Sequence, residues 1–298
     1  MDELPVGTTV DLSGGEPLLH PKIHEMILLA AENGYTVRLI TNGVMLTDLS
    51  IEEMTRLDTI SISLDGTTQE EYDETRGQGS FAKMESGLLK LRETGLSERV
   101  AFAVTVSHRN LGRLEDYLEY AQSWKAGTVN FGNLHGIPKG NNSFIERESL
   151  SLEECAALYE YTESLREKYR GRLLIVPSRN VGGGCPLTIP GSKWGLRIDA
   201  LMNVYPCEGF CGTDFSLGNL SSQSMDQLLE GSSCWGVANY LLARIEKIEE
   251  CRQCGLKGSF CLGGCAAEAY FRKKDCLCTD GACHIRRRQA YRMLRTKL

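Results

Sequence analysis

Seven cysteines in the C-terminal half of the chain have the spacing of metal ligands. Cys251 and Cys254 form a Cys-X-X-Cys pair, which can place both sulfurs on one metal ion or one cluster. The seven are Cys185, Cys207, Cys251, Cys254, Cys261, Cys265 and Cys283. Two such sets interleaved through a loop-rich region predict two iron–sulfur centres. One or two structural zinc sites are the alternative, since four cysteines in two close pairs also suit zinc.

The bulk composition favours reduced thiols over disulfides. The 298 residues include 12 cysteines, none of them before Cys155, and the net charge is −6 at pH 7. No apolar run reaches the roughly 18 residues of a transmembrane helix, and the N-terminus lacks the basic and apolar parts of a signal peptide. We therefore expect a cytoplasmic protein without a membrane partner, whose thiols are free to bind metal. The charge gives no indication of a nucleic-acid partner.

The elements that must position these cysteines fall into two regions. The first 145 residues alternate short apolar segments with helical patterns, which predicts a parallel sheet with helical crossovers. Strands are predicted at residues 8–12, 36–41, 59–64, 100–106 and 128–132, and helices at residues 22–33, 51–56, 81–94 and 114–125. Five such strands make an arc or part of an α/β barrel, in which functional residues lie at the C-terminal ends of the strands.

The second region follows a Gly- and Asn-rich segment at residues 136–143. A charged helix is predicted at residues 151–170, with Ser151 and Glu154 as a capping box. Three glycines, residues 182–184, precede Cys185, and a hairpin-like segment leads to Cys207. The five arginines of a last helix, residues 284–297, favour a solvent-exposed face. We predict domains at residues 1–145 and 181–298, joined by a linker helix region at residues 146–180.

Three polar segments follow successive predicted strands. They are Gly-Gly-Glu-Pro at residues 14–17, Thr-Asn-Gly at residues 41–43 and Ser-Leu-Asp-Gly at residues 63–66. Two glycines let a ligand approach the backbone closely, and a carboxylate beside them can accept a hydrogen bond from an ammonium group. Each segment alone is typical of a strand-to-loop turn. Their order at successive strand ends indicates a shared binding site.

Together these segments resemble the radical S-adenosylmethionine (SAM) enzymes. The Gly-Gly-Glu-Pro segment is similar to the family's motif for the methionine amino group, and residues 72–77 are similar to the segment after its fourth strand. The hairpin ending at Cys207 and the later cysteines resemble the family's SPASM extension. The resemblance covers nearly the whole chain. It implies an α/β fold, a partial (β/α) radical SAM barrel followed by a cysteine-rich, SPASM-like iron–sulfur domain.

The sequence departs from the family in one major respect. The CxxxCxxC loop that holds the SAM-cleaving cluster is absent, and the first predicted strand matches the family's second. We therefore expect a barrel that lacks its first strand, either because the sequence is incomplete or mis-started or because the chemistry was lost. This polypeptide alone is not expected to form the 5′-deoxyadenosyl radical. In addition, Met202 replaces a usual glycine, and six residues rather than five separate Cys254 from Cys261.

The resemblance also assigns the cysteines to two auxiliary [4Fe–4S] clusters. The first would be held by Cys185, Cys207 and Cys265, with Cys211 as a candidate fourth ligand of a site that is otherwise open or filled by substrate. The second would be held by Cys251, Cys254, Cys261 and Cys283. Cys276 competes with Cys283 for the last position, and Cys278 is a weaker competitor. Cys155 and Cys234 lie in helical patterns and are expected to be buried apolar residues.

The resemblance implies roles for the strand-end residues as well. The amino end of SAM would be bound by Gly14, Gly15 and Glu16. Its ribose or carboxylate would be reached by Asn42, Ser63, Asp65 and Arg76, although Asp65 alternatively only caps its own turn. Glu208, directly after Cys207, is the candidate base that takes a proton from the substrate while an auxiliary cluster accepts the electron. A solvated hairpin glutamate is the alternative.

These assignments predict a truncated radical SAM enzyme that oxidises or modifies a peptide or protein substrate. Its electrons would come from a donor such as flavodoxin or ferredoxin. A small molecule or a tetrapyrrole is a second possible substrate class. A non-catalytic scaffold that binds a peptide and is stabilised by zinc or by clusters is the alternative of a different class.

Overall fold

The computed structural model describes residues 4–5, 7–134, 143–178, 185, 187 and 195–295. The chain divides into two compact units. The first, here called the sheet unit, comprises Met1–Gly136 and Ser143–Arg179, and the second, the cysteine unit, comprises Ile137–Asn142 and Asn180–Leu298. Residues 182–184 and the Gly- and Asn-rich segment predicted at residues 136–143 lie outside the described residues, except for Ser143, which begins a helix.

The sheet unit is built on six parallel strands that pair in chain order. They are β1 (Thr9–Leu12), β2 (Thr36–Thr41), β3 (Thr59–Ser63), β4 (Val100–Val106), β5 (Thr128–Asn133) and β6 (Leu174–Val176). The predicted α/β class and its five strands are confirmed, each strand end to within one residue. The sixth strand was missed because three apolar residues are too short a run to indicate a strand. It lies in the region predicted as a linker, residues 146–180, of which residues 146–179 are grouped with the sheet unit.

Seven helices of the described chain belong to the sheet unit. They are α1 (Ile23–Glu32), α2 (Ile51–Arg56), α3 (Gln69–Arg76), α4 (Ser80–Glu93), α5 (Leu114–Ser123), α6 (Ser143–Glu148) and α7 (Leu152–Lys168). The predicted capping box of α7 is confirmed: Ser151 Oγ accepts from the Glu154 amide at 3.2 Å, and the Glu154 carboxylate accepts from the Ser151 amide at 2.8 Å. Cys155, in α7, is buried as predicted.

The core of the sheet unit lies against the central strand β4. Its apolar run is buried almost throughout, as expected for a parallel strand with both faces covered. Phe102 packs edge-on against Tyr120 of α5, with ring centroids 5.7 Å apart, and Tyr120 contacts Phe81 of α4 at 6.1 Å. Truncating a buried aromatic ring of this kind costs about 3–5 kcal/mol, so these contacts fix the helices on the sheet.

The cysteine unit combines a small antiparallel sheet with four described helices. The strands are β7 (Arg197–Ile198), β8 (Asn203–Tyr205) and β9 (Gly218–Asn219), and the helices are α8 (Met225–Glu230), α9 (Ser232–Lys247), α10 (Ala266–Lys273) and α11 (Cys283–Arg295). The predicted hairpin and last helix are confirmed, and Cys234 is buried on α9 as predicted. Arg286 is an exception to the exposed arginine face, because it is buried. No helix in the described part of either unit has the length and apolarity to cross a bilayer.

The hairpin turn before β8 places a side chain where glycine is favoured. Met202 has φ +64°, in the left-handed region. Asp199 organises the turn, because its carboxylate accepts from the amides of Leu201 and Asn203, each at 2.9 Å. A three-residue loop of this type needs a left-handed residue before the second strand, which explains why glycine suits the position. Met202 therefore keeps the turn at a conformational cost.

Candidate functional site

The side chain of Glu16 joins the carboxyl ends of β1 and β2. Its Oε1 accepts from Thr41 Oγ1 at 2.7 Å and from the Leu18 amide at 3.1 Å, and its Oε2 accepts from the Asn42 amide at 2.8 Å. A carboxylate offers about four acceptor positions, so one remains for an ammonium group of a ligand. Thr41, which the sequence interpretation gave no role, fixes this carboxylate from a neighbouring strand.

The backbone next to Glu16 is open to a ligand. A Cβ at Gly14 or at Gly15 would meet no atom within 4 Å. Gly14 has φ +152°, which disfavours a side chain, whereas Gly15 lies outside that region. A side chain at Gly15 would therefore fill the open space without straining the backbone.

Tyr72 of α3 joins the ends of β2 and β3. Its hydroxyl donates to the Asn42 carbonyl at 2.6 Å and lies 3.3 Å from the Ser63 carbonyl. The side chain is fully buried, and burial raises its pKa well above 10. The sequence interpretation gave Tyr72 no role. A buried role for Tyr72 could have been predicted from the sequence, because Tyr72 is the single aromatic residue in an otherwise polar helix.

The remaining strand-end residues have partners within the protein. Arg76 Nε donates to Asp65 Oδ2 at 2.5 Å, and Asn42 Oδ1 accepts from the Val44 amide at 2.8 Å. Burial is the main cause of the raised pKa of Tyr72; the charges of Asp65 and Glu16 raise this pKa further, and that of Arg76 lowers it. A ligand that uses Asp65 or Arg76 must share or replace their mutual ion pair.

Four of the seven cysteines interact around Cys251. The thiol of Cys251 has a raised pKa, chiefly because it is buried, and the charges of Cys261, Cys283 and Cys254 raise it further. Cys251 follows α9, while Cys283 begins α11. The residues assigned to the second cluster are thus electrostatic neighbours, although the assignment to a cluster stays a prediction.

The other three cysteines interact around Cys207. Burial raises the pKa of the Cys207 thiol to about 11, with further contributions from Cys265 and Cys185. All three lie in one apolar cluster, which also contains Cys211 and Cys276. Cys276, expected to compete with Cys283, therefore lies beside the other set. Cys211, the candidate fourth ligand of the first cluster, is packed against the same apolar cluster.

The loops that carry the cysteines are held by buried charged side chains. Asp280 accepts from both terminal nitrogens of Arg286, at 2.7 and 2.5 Å, and also from the amides of Cys265 (2.9 Å) and Ala282 (3.2 Å). This bidentate pair lies 4% exposed on each side. Asp280 was not singled out from the sequence, and Arg286 was predicted to be exposed with the other arginines of the last helix, since charged side chains are mostly exposed.

Glu208, the predicted catalytic base, lies directly after Cys207 on a short 3₁₀ turn. Its side chain is 68% exposed and forms an ion pair with Arg197 of β7. A base at this position would have to exchange Arg197 for a substrate. Within the described residues, no three His, Cys, Asp or Glu side chains are arranged to hold a metal ion.

Comparison with known proteins agrees with this architecture. The sequence profile of the radical SAM superfamily matches residues 3–121. The mycofactocin maturase MftC of Mycobacterium ulcerans is 26% identical over 277 residues, which span 88% of this chain and 71% of that protein. The PqqA peptide cyclase of Rhizobium meliloti is 29% identical over 291 residues, which span 91% of this chain and 72% of that protein.

The solved structure of anSMEcpe with bound AdoMet and Cp18Cys peptide shares the fold. It superposes with a TM-score of 0.68 at 19% identity, over 95% of this chain and 83% of that one. The profile match lies within residues 3–121, and the predicted resemblance of this chain to radical SAM proteins that include peptide maturases is confirmed. The superfamily implies SAM and a [4Fe–4S] cluster as cofactors.

Proposed function

We propose that this chain forms the SAM-binding and auxiliary-cluster-binding parts of a radical SAM enzyme that oxidises or cross-links a peptide or protein. The observation that carries the proposal is the apolar cluster that gathers Cys185, Cys207 and Cys265, together with a second group of cysteines whose charges act on the Cys251 thiol. These groups match the two ligand sets that the resemblance assigns. The maturases among the relatives supply the substrate class.

The sheet unit supports the SAM-binding part. Gly14 and Gly15 leave open space beside Glu16, whose carboxylate keeps an acceptor position for the methionine ammonium group. Tyr72 fixes the neighbouring strand ends, so the polar groups are ordered before a ligand arrives. β1 is an edge strand among the described residues, which leaves room for the first strand of the family's barrel.

The choice of clusters over zinc rests on the strand-end segments, which resemble those of radical SAM enzymes. Four cysteines that are electrostatic neighbours around Cys251 would suit either kind of site. Cluster ligands must be deprotonated, and burial raises the free energy of a thiolate that has no bound metal. A bound cluster would therefore remove the cost of burying these negative charges.

When bound beside a reduced cluster, SAM supplies a carbon radical that removes a hydrogen atom from the substrate. This chain's own contribution is to hold the ammonium end of SAM at Glu16 and to exclude water around the buried thiols. Glu208 would accept the substrate's proton once released from Arg197. No cysteine precedes Cys155, so these 298 residues alone bind SAM without cleaving it.

Metal analysis tests the cluster half of the proposal. Protein reconstituted without oxygen should contain about eight iron and eight sulfide atoms per chain and show broad visible absorption. Zinc as the sole metal would instead favour a zinc-stabilised, non-catalytic scaffold, the second candidate function. The absence of the SAM-cleaving cysteines from these 298 residues is the observation that favours the scaffold.

Calorimetry with SAM tests the other half. Gly15→Ala should weaken SAM binding by about tenfold or more, roughly 1.4 kcal/mol, because the new methyl group fills the ligand's space. Gly112→Ala is the matched control, since Gly112 also has open space and lies outside the left-handed region. Equal affinities in the two variants, or no binding to the unmodified protein, would remove SAM from the proposal.

A further inference from the structure

Arg244 is the largest fully buried side chain among the described residues, with an exposed fraction of 0%. It lies on α9, on the same buried face as Cys234, Ala238 and Leu241. An ionised side chain in such a position is rare, because burying an isolated charge is far more costly than burying a neutral polar group. The position of Arg244 therefore requires an explanation.

The guanidinium binds the backbone of the two loops that follow α9. Nη1 donates to the carbonyls of Gly263 (2.5 Å) and Gly264 (3.0 Å), Nε to that of Cys276 (2.9 Å) and Nη2 to that of Cys278 (2.9 Å). The first loop lies between Cys261 and Cys265, and the second leads to Cys283. One side chain thus connects segments that carry members of both cysteine groups.

These four bonds satisfy the donors but do not neutralise the charge. All four acceptors are neutral carbonyl oxygens, and no carboxylate of the described residues pairs with Arg244. Asp280 is committed to Arg286 in a bidentate pair. The guanidinium therefore carries an uncompensated positive charge next to the cysteines, because it is bonded to the backbone of Cys276 and Cys278 and to Gly264, the residue before Cys265.

We propose that Arg244 is the counter-cation of the cysteine-bound clusters and the positioning residue that holds their loops. The proposal rests on the cluster assignment made above. A [4Fe–4S] cluster with four thiolate ligands is a net anion, and it becomes more negative when reduced. A buried cation nearby stabilises the reduced state more than the oxidised one, and therefore raises the reduction potential.

The experiment compares variants of the reconstituted protein by redox titration. Arg244→Gln should lower the ratio of reduced to oxidised cluster by about tenfold at a fixed potential, which is about 59 mV for one electron. Arg244→Lys retains the charge and should keep most of the potential. Arg287→Gln, an exposed arginine of α11, makes the same change in net charge and should leave the potential unchanged.

Two further measurements separate positioning from counter-charge. In metal-free, reduced protein, Arg244→Gln and Arg244→Lys should both increase the labelling rate of Cys276 and Cys278. Neither side chain has the planar, forked guanidinium that binds the loop carbonyls. In reconstituted Arg244→His, the potential should fall as the pH rises through about 6.5, where the imidazole loses its charge, beyond any change in the unmodified protein. This variant retains a ring donor and serves if Arg244→Gln does not fold.

The outcomes are distinguishable. If the Arg244 variants are labelled faster but keep the reduction potential of the unmodified protein, Arg244 has only a structural role and the counter-cation proposal is wrong. Unchanged labelling would overturn the positioning role. Unmodified protein that takes up no iron and sulfide would overturn the cluster assignment itself, and with it this proposal.

Discussion

Replacing Asp280 by Asn tests how the interior of the cysteine unit is held together. The Asp280 carboxylate accepts four hydrogen bonds, two from Arg286 and one each from the amides of Cys265 and Ala282. Asn keeps the shape, but its amide nitrogen would face N–H donors. Arg286 would then remain as a buried cation without its partner. Room to adjust is small, because a Cβ at Gly264 would already lie 2.5 Å from Asp280 Oδ2.

The expected cost follows from the burial of the pair. Removing one partner of a buried, hydrogen-bonded ion pair costs about 3–5 kcal/mol, and each 1.4 kcal/mol is about tenfold in an equilibrium constant. The population of the opened cysteine unit should therefore rise by roughly two to almost four powers of ten. Labelling of the buried thiols Cys276 and Cys278 in metal-free, reduced protein, read by mass spectrometry, measures this opening.

Two controls sharpen the comparison. Glu249→Gln removes an exposed ion pair of the same unit, with Arg252, and should cost less than about 1 kcal/mol. The double variant Asp280→Asn/Arg286→Met removes the unpaired charge while the Asn side-chain oxygen can still accept from an amide, so it should cost less than Asp280→Asn alone. Labelling that rises less than tenfold in Asp280→Asn would refute the argument that this pair secures the loops.

Three further predictions concern single residues. Tyr72→Phe should lower the free energy of unfolding of the sheet unit by about 1–2 kcal/mol in urea titration, because a strand-end carbonyl loses its donor while the ring stays packed; a loss below about 0.5 kcal/mol contradicts the link. Met202→Gly should stabilise the cysteine unit by up to about 1 kcal/mol, whereas Leu201→Gly should destabilise it; changes of equal sign argue against strain at Met202. The Arg147 carbonyl raises the pKa of His108. The stability that His108 contributes is therefore complete below about pH 6.5, its unfolded value, and is lost as the pH rises through the folded pKa. His108→Gln should reduce this loss, and a free energy of unfolding of the unmodified protein that stays constant up to pH 8 would contradict the contact.

The sequence predicted the parts of the fold that depend on local patterns. The apolar runs of β2 and β4 gave their strands, and the Ser151 capping signal gave the start of α7. β6 could not be predicted, because three apolar residues carry too little periodicity. The start of α8 has a capping box of its own, with Ser224 and Gln227, which a closer search for this signal would have found.

Spacing selected the seven candidate cysteines, and their role as cluster ligands stays a prediction. Contacts distant in sequence could not be predicted: the bond from Thr41 to Glu16 joins residues 25 positions apart and leaves no local pattern. Arg244, in contrast, does leave a local pattern in the sequence. It continues the apolar series of Cys234, Ala238 and Leu241 at helical spacing, so a charge on the buried face was detectable.

The order of the cysteines along the chain has a consequence for assembly. Cys261 interacts with one group and Cys265 with the other, and only three residues separate them. Ordering this short segment at one centre removes much of the conformational freedom that the other must lose. The two proposed clusters should therefore assemble cooperatively, and chains loaded with a single cluster should be scarce at every ratio of iron to protein.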